Sequence, residues 1–405
     1  MLVKTSETKV FRDVIHNYIH IDLQVIWDLI NTKEMQRLRR IHQLGGAYQV
    51  YHNAEHSRFS HSLGVYEIVR RMVNEIDDIK ESLSSYEKCV VMIAALLHDV
   101  GHLPFSHSFE NICPTKHEEF SCRIVLGDTE INQVLRKYNK KLPKDVANVI
   151  NSTHHNMLLN QLISGQLDAD RMDYLLRDAY FSGTSYGKFD LERIFRTIRV
   201  EDNCLMVKES GIHAVENYII ARYHMYWQVY YHPVCRSFER ILETLFKRMK
   251  YLYQNNDEQI NQLKMFTPFL EDKQSVHDHY LLDENSAMYG ISILCTHQDP
   301  IISDLASRIM CRKLFQYKTI TTDHQKEKIR KKVSKYYDSD YYLLSDKASQ
   351  SPYQPYDSDS SKNIMVLCDN GKKVELSKRS DIVHSLVRGK IKEERKVFYP
   401  REVKL

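Results

Sequence analysis

The decapeptide His98-Asp99-Val100-Gly101-His102-Leu103-Pro104-Phe105-Ser106-His107 packs three imidazoles and one carboxylate into ten residues. An imidazole nitrogen beside a carboxylate oxygen on a rigid support is a natural start for a transition-metal site. His61 lies upstream and Asp170 downstream, giving a candidate set of two imidazoles and two carboxylates. Such a set suits Mn, Fe, Zn, Co or Ni better than Mg, which prefers an all-oxygen shell. The two carboxylates balance a divalent charge, and a metal so held polarises a phosphoryl group and acidifies its bound water. His102, His107, Glu110, His117 and Glu118 are too many for the same shell. Some of them can serve as general acid or base, since histidine titrates near neutrality. Arg58, Arg171 and Arg222 can hold phosphates. His98 alone reads equally well as a helix-end histidine favoured by the helix dipole.

These residues need elements to carry them. The apolar run Cys89–Leu97 falls short of the roughly 20 residues of a membrane span and reads as a buried helix delivering His98 and Asp99 at its end. Gly101 and Pro104 then break it. Ser60 can cap a helix whose apolar residues Val65, Ile68, Val69, Met72, Val73 and Ile76 follow a 3.6-residue period, with His61 in its first turn. In the helix Leu167–Asp178, Asp170, Tyr174 and Asp178 share one face. A long helix from about His213 to His232, stopped by Pro233, aligns Arg222, Tyr226 and Tyr230. Residues 1–20 read as an extended arm or hairpin; a basic helix through Met35, Leu38 and Ile41 follows and ends at Gly45-Gly46. Residues 196–208 read as a short hairpin, and Asp369-Asn370-Gly371 as the turn of another. The stretch 345–361 reads as a mobile loop. The expected fold is mainly α: a helical domain over 1–320, its core about 45–240, and a smaller α+β lobe over 321–405.

Composition narrows the class. Apolar content of 42% and charged content of 27% are those of a soluble globular protein. A net charge of +4 is too small for a dominating nucleic-acid surface, and the basic stretches 326–335 and 388–404 read as solvated faces. Eight cysteines without a CxxC pair fit reduced thiols and a cytoplasmic location. The N-terminus lacks an apolar h-region and no 18-residue apolar window occurs, so neither signal peptide nor membrane span is expected.

The order His61…His98-Asp99…Asp170 resembles the HD superfamily of metal-dependent phosphohydrolases, in which these four positions ligate the metal. Gln43-Leu44-Gly45-Gly46, Arg58 to Val65, His98 to His107, His117-Glu118 and Asp168 to Asp178 look like the deoxynucleoside triphosphate triphosphohydrolases related to the SAM- and HD-domain protein. The similarity spans most of residues 9–240 and continues more loosely beyond; it points to the bacterial, HD-only branch. It implies attack of a metal-activated water on the α-phosphorus of a dNTP, giving a deoxynucleoside and inorganic triphosphate. His107 would protonate the leaving 5′-oxygen, steadied by Glu110 where the family more often has Asp. His102, His117, Arg58, Arg171, Tyr174 and Arg222 would contact phosphates. Gln43 and Asp178 would grip the 3′-hydroxyl, Tyr230 would stack on the sugar and exclude a 2′-hydroxyl, and Leu44 would lie near the base. Tyr226 stands in the pocket where the family has His, and Arg171 replaces a Lys.

The resemblance also implies a homotetramer assembled around nucleotide activators. Lys9, Val10, Asn31, Gln36 and Arg39, with Arg37 on the same basic helix, match a dGTP or GTP site, Asn31 replacing the usual Asp. Val50, Tyr51, Arg193, Lys208 and His232 match a neighbouring dNTP site, where Ser210 replaces a Lys. Two other readings compete: a phosphohydrolase of nucleoside monophosphates or other phosphoesters, and a regulator or nucleic-acid-binding protein that keeps the HD site as structure. The intact quartet speaks against the second, and three arginines able to hold three phosphates speak against the first.

Overall fold

The computed structural model describes residues 3–106, 109, 116–349, 353, 363–389 and 393–405; His107, Glu110 and most of the 345–361 stretch lie outside them. The chain opens as an antiparallel hairpin, β1 (Lys4–Asp13) and β2 (Asn17–Leu23). Its tip is set by Asp13, whose Oδ1 accepts the backbone N–H of Ile15 at 2.8 Å and of His16 at 3.0 Å. Asn17 there takes a left-handed φ of +60°, which asparagine tolerates. Helix α1 (Gln24–Ile30) follows, then α2 (Lys33–Arg37), capped by Thr32. The helix expected through Ile41 stops early and tightens into a 3-10 turn, Leu38–Arg40. Gly45 is needed for a close approach rather than as a helix stop: a Cβ there would lie 2.6 Å from the Phe105 carbonyl oxygen.

Three helices converge on the decapeptide. Helix α3 (Arg58–Glu75) starts one turn earlier than expected, because Ser57 caps it and Ser60 donates its hydroxyl back to the Ser57 carbonyl. Helix α4 (Asp77–Ser82) turns the chain into α5 (Ser85–Leu97), which a Ser84/Glu87 capping box starts and in which every residue from Cys89 to Leu97 is buried. Helices α6 (His117–Leu126), α7 (Glu130–Tyr138), α8 (Leu142–Ile150) and α9 (Met157–Ser164) follow; α8 and α9 pack on α5, α6 packs on α8, and α7 packs on α1 and α8. Helix α10 (Ala169–Ser182) is capped by Asp168 and ends at Gly183, whose φ of +68° glycine adopts without strain. It lies against α3, and Gly64 sets the approach: a Cβ at that position would sit 1.9 Å from Asp173 Oδ1.

Helix α11 (Leu191–Thr197) leads into the expected hairpin, β3 (Ile198–Glu201) and β4 (Cys204–Lys208). Helix α12 (Ile212–Met225) widens into a π-turn, Tyr226–Tyr230, and Pro233 both ends that segment and opens α13 (Pro233–Gln254) at the position where its missing N–H costs nothing. Strands β5 (Gln316–Ile320), β6 (Leu344–Ser349) and β9 (Glu393–Tyr399) form one sheet in the order β5-β9-β6. Strands β7 (Met365–Leu367) and β8 (Lys373–Glu375) extend the earlier hairpin, β7 running parallel to β4. The architecture is mainly α with small sheets. Two cores result. Ile364, Val366, Leu376 and Val383 join the large core of α1 to α12, whereas Val397 and Phe398 join a second core built on α13. Residues after 320 are thus shared between the two cores, and the β5–β9 pairing crosses the 320/321 position.

Replacing Gly64 with Ala is expected to push α3 from α10 and cost about 3 kcal/mol; a urea midpoint equal to wild type would contradict this packing.

Candidate active site

Helix α3 brings His61, the end of α5 brings His98 and Asp99, and the first turn of α10 brings Asp170. His61 Nε2 lies 3.0 Å from Asp170 Oδ1 and 3.8 Å from Asp99 Oδ2. His98 Nε2 lies 3.3 Å from Asp99 Oδ1 and 3.6 Å from Asp170 Oδ1. One ligand atom each from His61, His98 and Asp99 falls within a 4.8 Å cluster, and all three residues are buried. The Asp170 side chain is 34% exposed, so the cluster opens on its side. His98 Nδ1 is spent on the Ala95 carbonyl at 2.9 Å, which leaves Nε2 buried and without a hydrogen bond among the described residues. A buried, unpartnered imidazole nitrogen facing two carboxylates fits a divalent cation.

The electrostatics are polarised. Burial opposes ionisation of Asp99, but the charges of His98 and Arg58 and a hydrogen bond from His102 outweigh it and hold the carboxyl well below its usual range. Burial likewise opposes a charged His61, yet hydrogen bonds to Asp170 and Asp173 push it up to about 10. His102 behaves oppositely: burial, then the charges of Arg58 and His117, hold it well below the ordinary histidine value. It stays neutral, with Nε2 3.4 Å from Asp99 Oδ1 and its ring stacked on His117 at 3.8 Å.

A cavity of about 480 Å³ opens from this cluster. Gln43, Leu44, Arg58, Asp99, His102, His117, Asp170, Tyr174, Asp178, Tyr226 and Tyr230 all line it. Arg58 is held by the Asp99 carboxylate and the Ser106 hydroxyl, and Arg171 by the Asp168 carboxylate that caps its helix. Arg222 is different. Its Nε is buried with no partner among the described residues, near Arg171, Tyr174 and Tyr218. Gln43 Oε1 is also buried and unpartnered among them. Asp178 accepts from Tyr230 OH at 2.8 Å and pairs with His56 Nε2 at 2.8 Å. His107 and Glu110 lie outside the described residues.

The residues matched to activator sites fall into groups. Phe11 stacks on Trp27 and holds the Lys9–Val10 strand beside α1; at its far end Asn31 donates to the Trp27 carbonyl. Gln36 donates to the Ile30 carbonyl and accepts from exposed Arg39, whose guanidinium lies 3.7 Å from the Phe59 ring centre. Tyr51 meets His232 edge-on, beside half-buried Val50. Arg193 donates to the Ser210 carbonyl, two residues past exposed Lys208. Arg37 departs from its expected place on the basic helix surface. It is 1% exposed, donating to the His102 carbonyl at 2.8 Å and to the Leu282 carbonyl at 2.6 and 3.0 Å. Burial lowers its pKa to about 9. A long side chain inside the α2 face can reach acceptors that the sequence places 65 and 245 residues away.

The HD-domain family profile matches residues 58–178, and the profile of an HD-associated region matches 189–404. The chain belongs to the HD-domain phosphohydrolase family. Protein YwfO of Bacillus subtilis (strain 168) is 46% identical, over 99% of this chain and 94% of that protein. A protein of Dictyostelium discoideum named as a deoxynucleoside triphosphate triphosphohydrolase SAMHD1 homolog is 30% identical over 60% of this chain, which is 49% of its own length. The crystal structure of a phosphohydrolase from Bacteroides thetaiotaomicron superposes with a TM-score of 0.86 at 26% identity, covering 98% of this chain and all of that one. No helix among the described residues is long and apolar enough to cross a membrane.

The sequence assigns no work to His16 and His56, which precede the matched HD domain, and does not single out Asp173 or Arg177 within it. Asp173 Oδ2 accepts from His61 Nδ1 at 2.8 Å, and His56 orients Asp178. The one signal for Asp173 is its place three residues after Asp170, which puts it on the neighbouring stripe of the same helix; His16 has none.

Two outcomes follow from this geometry. A metal must displace the His61 proton, so Co²⁺ affinity is expected to rise about tenfold per pH unit between pH 6 and 8; a chelator-competition titration flat with pH would contradict it. Arg37→Met should destabilise by about 3 kcal/mol by stranding two buried carbonyls, while Arg39→Met should stay within about 0.5 kcal/mol of wild type. Equal denaturation midpoints would refute the distinction.

Proposed function

We propose that the protein is a dNTP triphosphohydrolase, releasing a deoxynucleoside and inorganic triphosphate. The observation that carries this reading is Arg222, a half-buried arginine whose buried Nε has no hydrogen-bond partner among the described residues and whose guanidinium lies beside Arg171, Tyr174 and the Tyr226 ring. A cation so placed calls for an anion, and a polyphosphate reaching from the HD cluster toward Arg171 and Arg222 supplies one. The relatives named as dNTP triphosphohydrolases favour the same substrate. His61, His98, Asp99 and Asp170 would hold the metal, with Mn, Fe, Zn, Co or Ni suited to the donor set and Mg accompanying the phosphates. When bound, the metal supplies Lewis acidity and an acidified water.

The chain's own groups do the rest. Neutral His102 and its stacked partner His117 face the phosphates from the floor of the turn. His107 and Glu110 are assigned protonation of the leaving 5′-oxygen. Gln43 offers a buried amide oxygen to the 3′-hydroxyl, and Asp178 a carboxylate already oriented by His56. Tyr230, fixed through its hydroxyl to Asp178, presents its ring to the sugar and leaves a 2′-hydroxyl no room. Tyr226 meets that ring edge-on at 5.1 Å and narrows the same wall. Activation by dGTP or GTP with a dNTP, through the two groups described above, and assembly into a homotetramer complete the reading. A cytoplasmic setting agrees with the cysteines, none of them in a disulfide among the described residues.

Ion-exchange analysis of reactions with each dNTP and NTP, Mn²⁺ or Mg²⁺, and dGTP or GTP tests this. Triphosphate is expected from dNTPs and little from NTPs. No triphosphate under any combination overturns the reading. Asp170→Ala is expected to lower turnover at least about a thousandfold.

A further inference from the structure

The tip of the N-terminal hairpin reaches the back of the metal cluster. His16 Nε2 lies 2.7 Å from Asp173 Oδ1, and its side chain is buried. Asp173 is wholly buried and also takes Arg177 through Nε at 2.8 Å and Nη2 at 3.0 Å. Arg177 in turn grips Asp13, the residue that shapes the hairpin tip, at 2.9 Å. The hairpin therefore closes a ring of Asp13, Arg177, Asp173 and His16, and the remaining direction of the Asp173 carboxylate is His61 Nδ1 at 2.8 Å.

A buried carboxylate surrounded by donors is ionised and accepts only. Its partner nitrogen on His61 must carry a proton, so the proton a cation displaces is the one on Nε2, the atom facing Asp99 and Asp170, and the lone pair is freed there. Arg177 alone does not lock this arrangement. It sits four residues along the same helix as Asp173 and moves with it. His16 arrives from a different element and pins Oδ1 against rotation, which fixes where Oδ2 points. We propose that His16 is a positioning residue of the metal centre: acting through Asp173, it holds His61 in the orientation and tautomer that offer Nε2 to the cation. The hairpin tip is thereby a built part of the HD site. This rests on the metal-ligand reading above and is independent of the substrate.

The test is Co²⁺ binding to the full chain, followed by visible d–d absorption and chelator competition. His16→Phe keeps the ring volume and removes the donor; a loss of about 10- to 100-fold in affinity is expected, the usual effect of removing an outer partner of a ligating histidine. His16→Gln, whose amide can donate to Oδ1, should recover most of it. Tyr66→Phe removes the hairpin's hydroxyl bond to the His20 carbonyl, away from Asp173, and should leave affinity unchanged. Asp99→Ala should abolish binding; if it does not, the ligand reading fails. If Asp99→Ala abolishes binding while His16→Phe stays within twofold of wild type, the positioning role is overturned. It is equally overturned if Tyr66→Phe falls as far as His16→Phe, since loosening of the hairpin would then account for both. In the Zn²⁺-loaded protein, ¹⁵N spectra of the histidines should show one His61 tautomer in wild type and His16→Gln and an altered His61 signal in His16→Phe.

Discussion

One buried carboxylate organises the centre of this protein. Asp173 has no access to water, and an ion so placed is tolerated only when donors surround it. Its donors come from three elements: His16 from the hairpin, His61 from α3 and Arg177 from its own helix. The packing obeys the same charge. Gly64 is a glycine because the Asp173 oxygen occupies the space of its Cβ, and that contact sets the spacing of α3 and α10. His61 and Asp170 ride on those two helices, three residues from Gly64 and Asp173 respectively.

Around this centre the titratable groups separate into two kinds. His61 and His98 sit among carboxylates and are raised, while Asp99 is lowered by the cations around it. His102, one turn further, has Arg58 and His117 as neighbours and is driven neutral. Environments that push neighbouring groups apart are how one small turn can offer both a ligand set and a neutral imidazole. The turn itself hangs on Arg37, whose guanidinium ties the His102 carbonyl to Leu282 at the head of the second core's helices. The two large hydrophobic cores are thus linked by a polar contact that reaches the His102 carbonyl.

Much of this was legible in the chain. The abrupt change at His98 after nine apolar residues places the His-Asp pair at a helix end, and the helix is there. The i, i+4, i+8 spacing of Asp170, Tyr174 and Asp178 puts all three on the cavity wall. Other features were displaced by local competition. Ser57 rather than Ser60 caps α3, because Ser60 returns its hydroxyl to the Ser57 carbonyl. The α12 pattern runs past Met225 as a π-turn, a change of pitch that residue spacing does not announce.

What the sequence by itself determined is the mainly helical fold and the ordered candidate quartet His61, His98, Asp99 and Asp170, which the folded chain brings within reach of one another. Periodicity and breakers are local signals, and the order of the quartet is a pattern in one dimension. Tertiary structure alone decided what surrounds them: His16 on Asp173, His56 on Asp178, Arg37 between two carbonyls, and residues 364–383 on the first core rather than beside β9. Each of these joins residues 60 or more positions apart, or places a charge where no water reaches it. A single charged residue in a string looks the same whether it will face solvent or a buried partner; only the closing of the chain settles which.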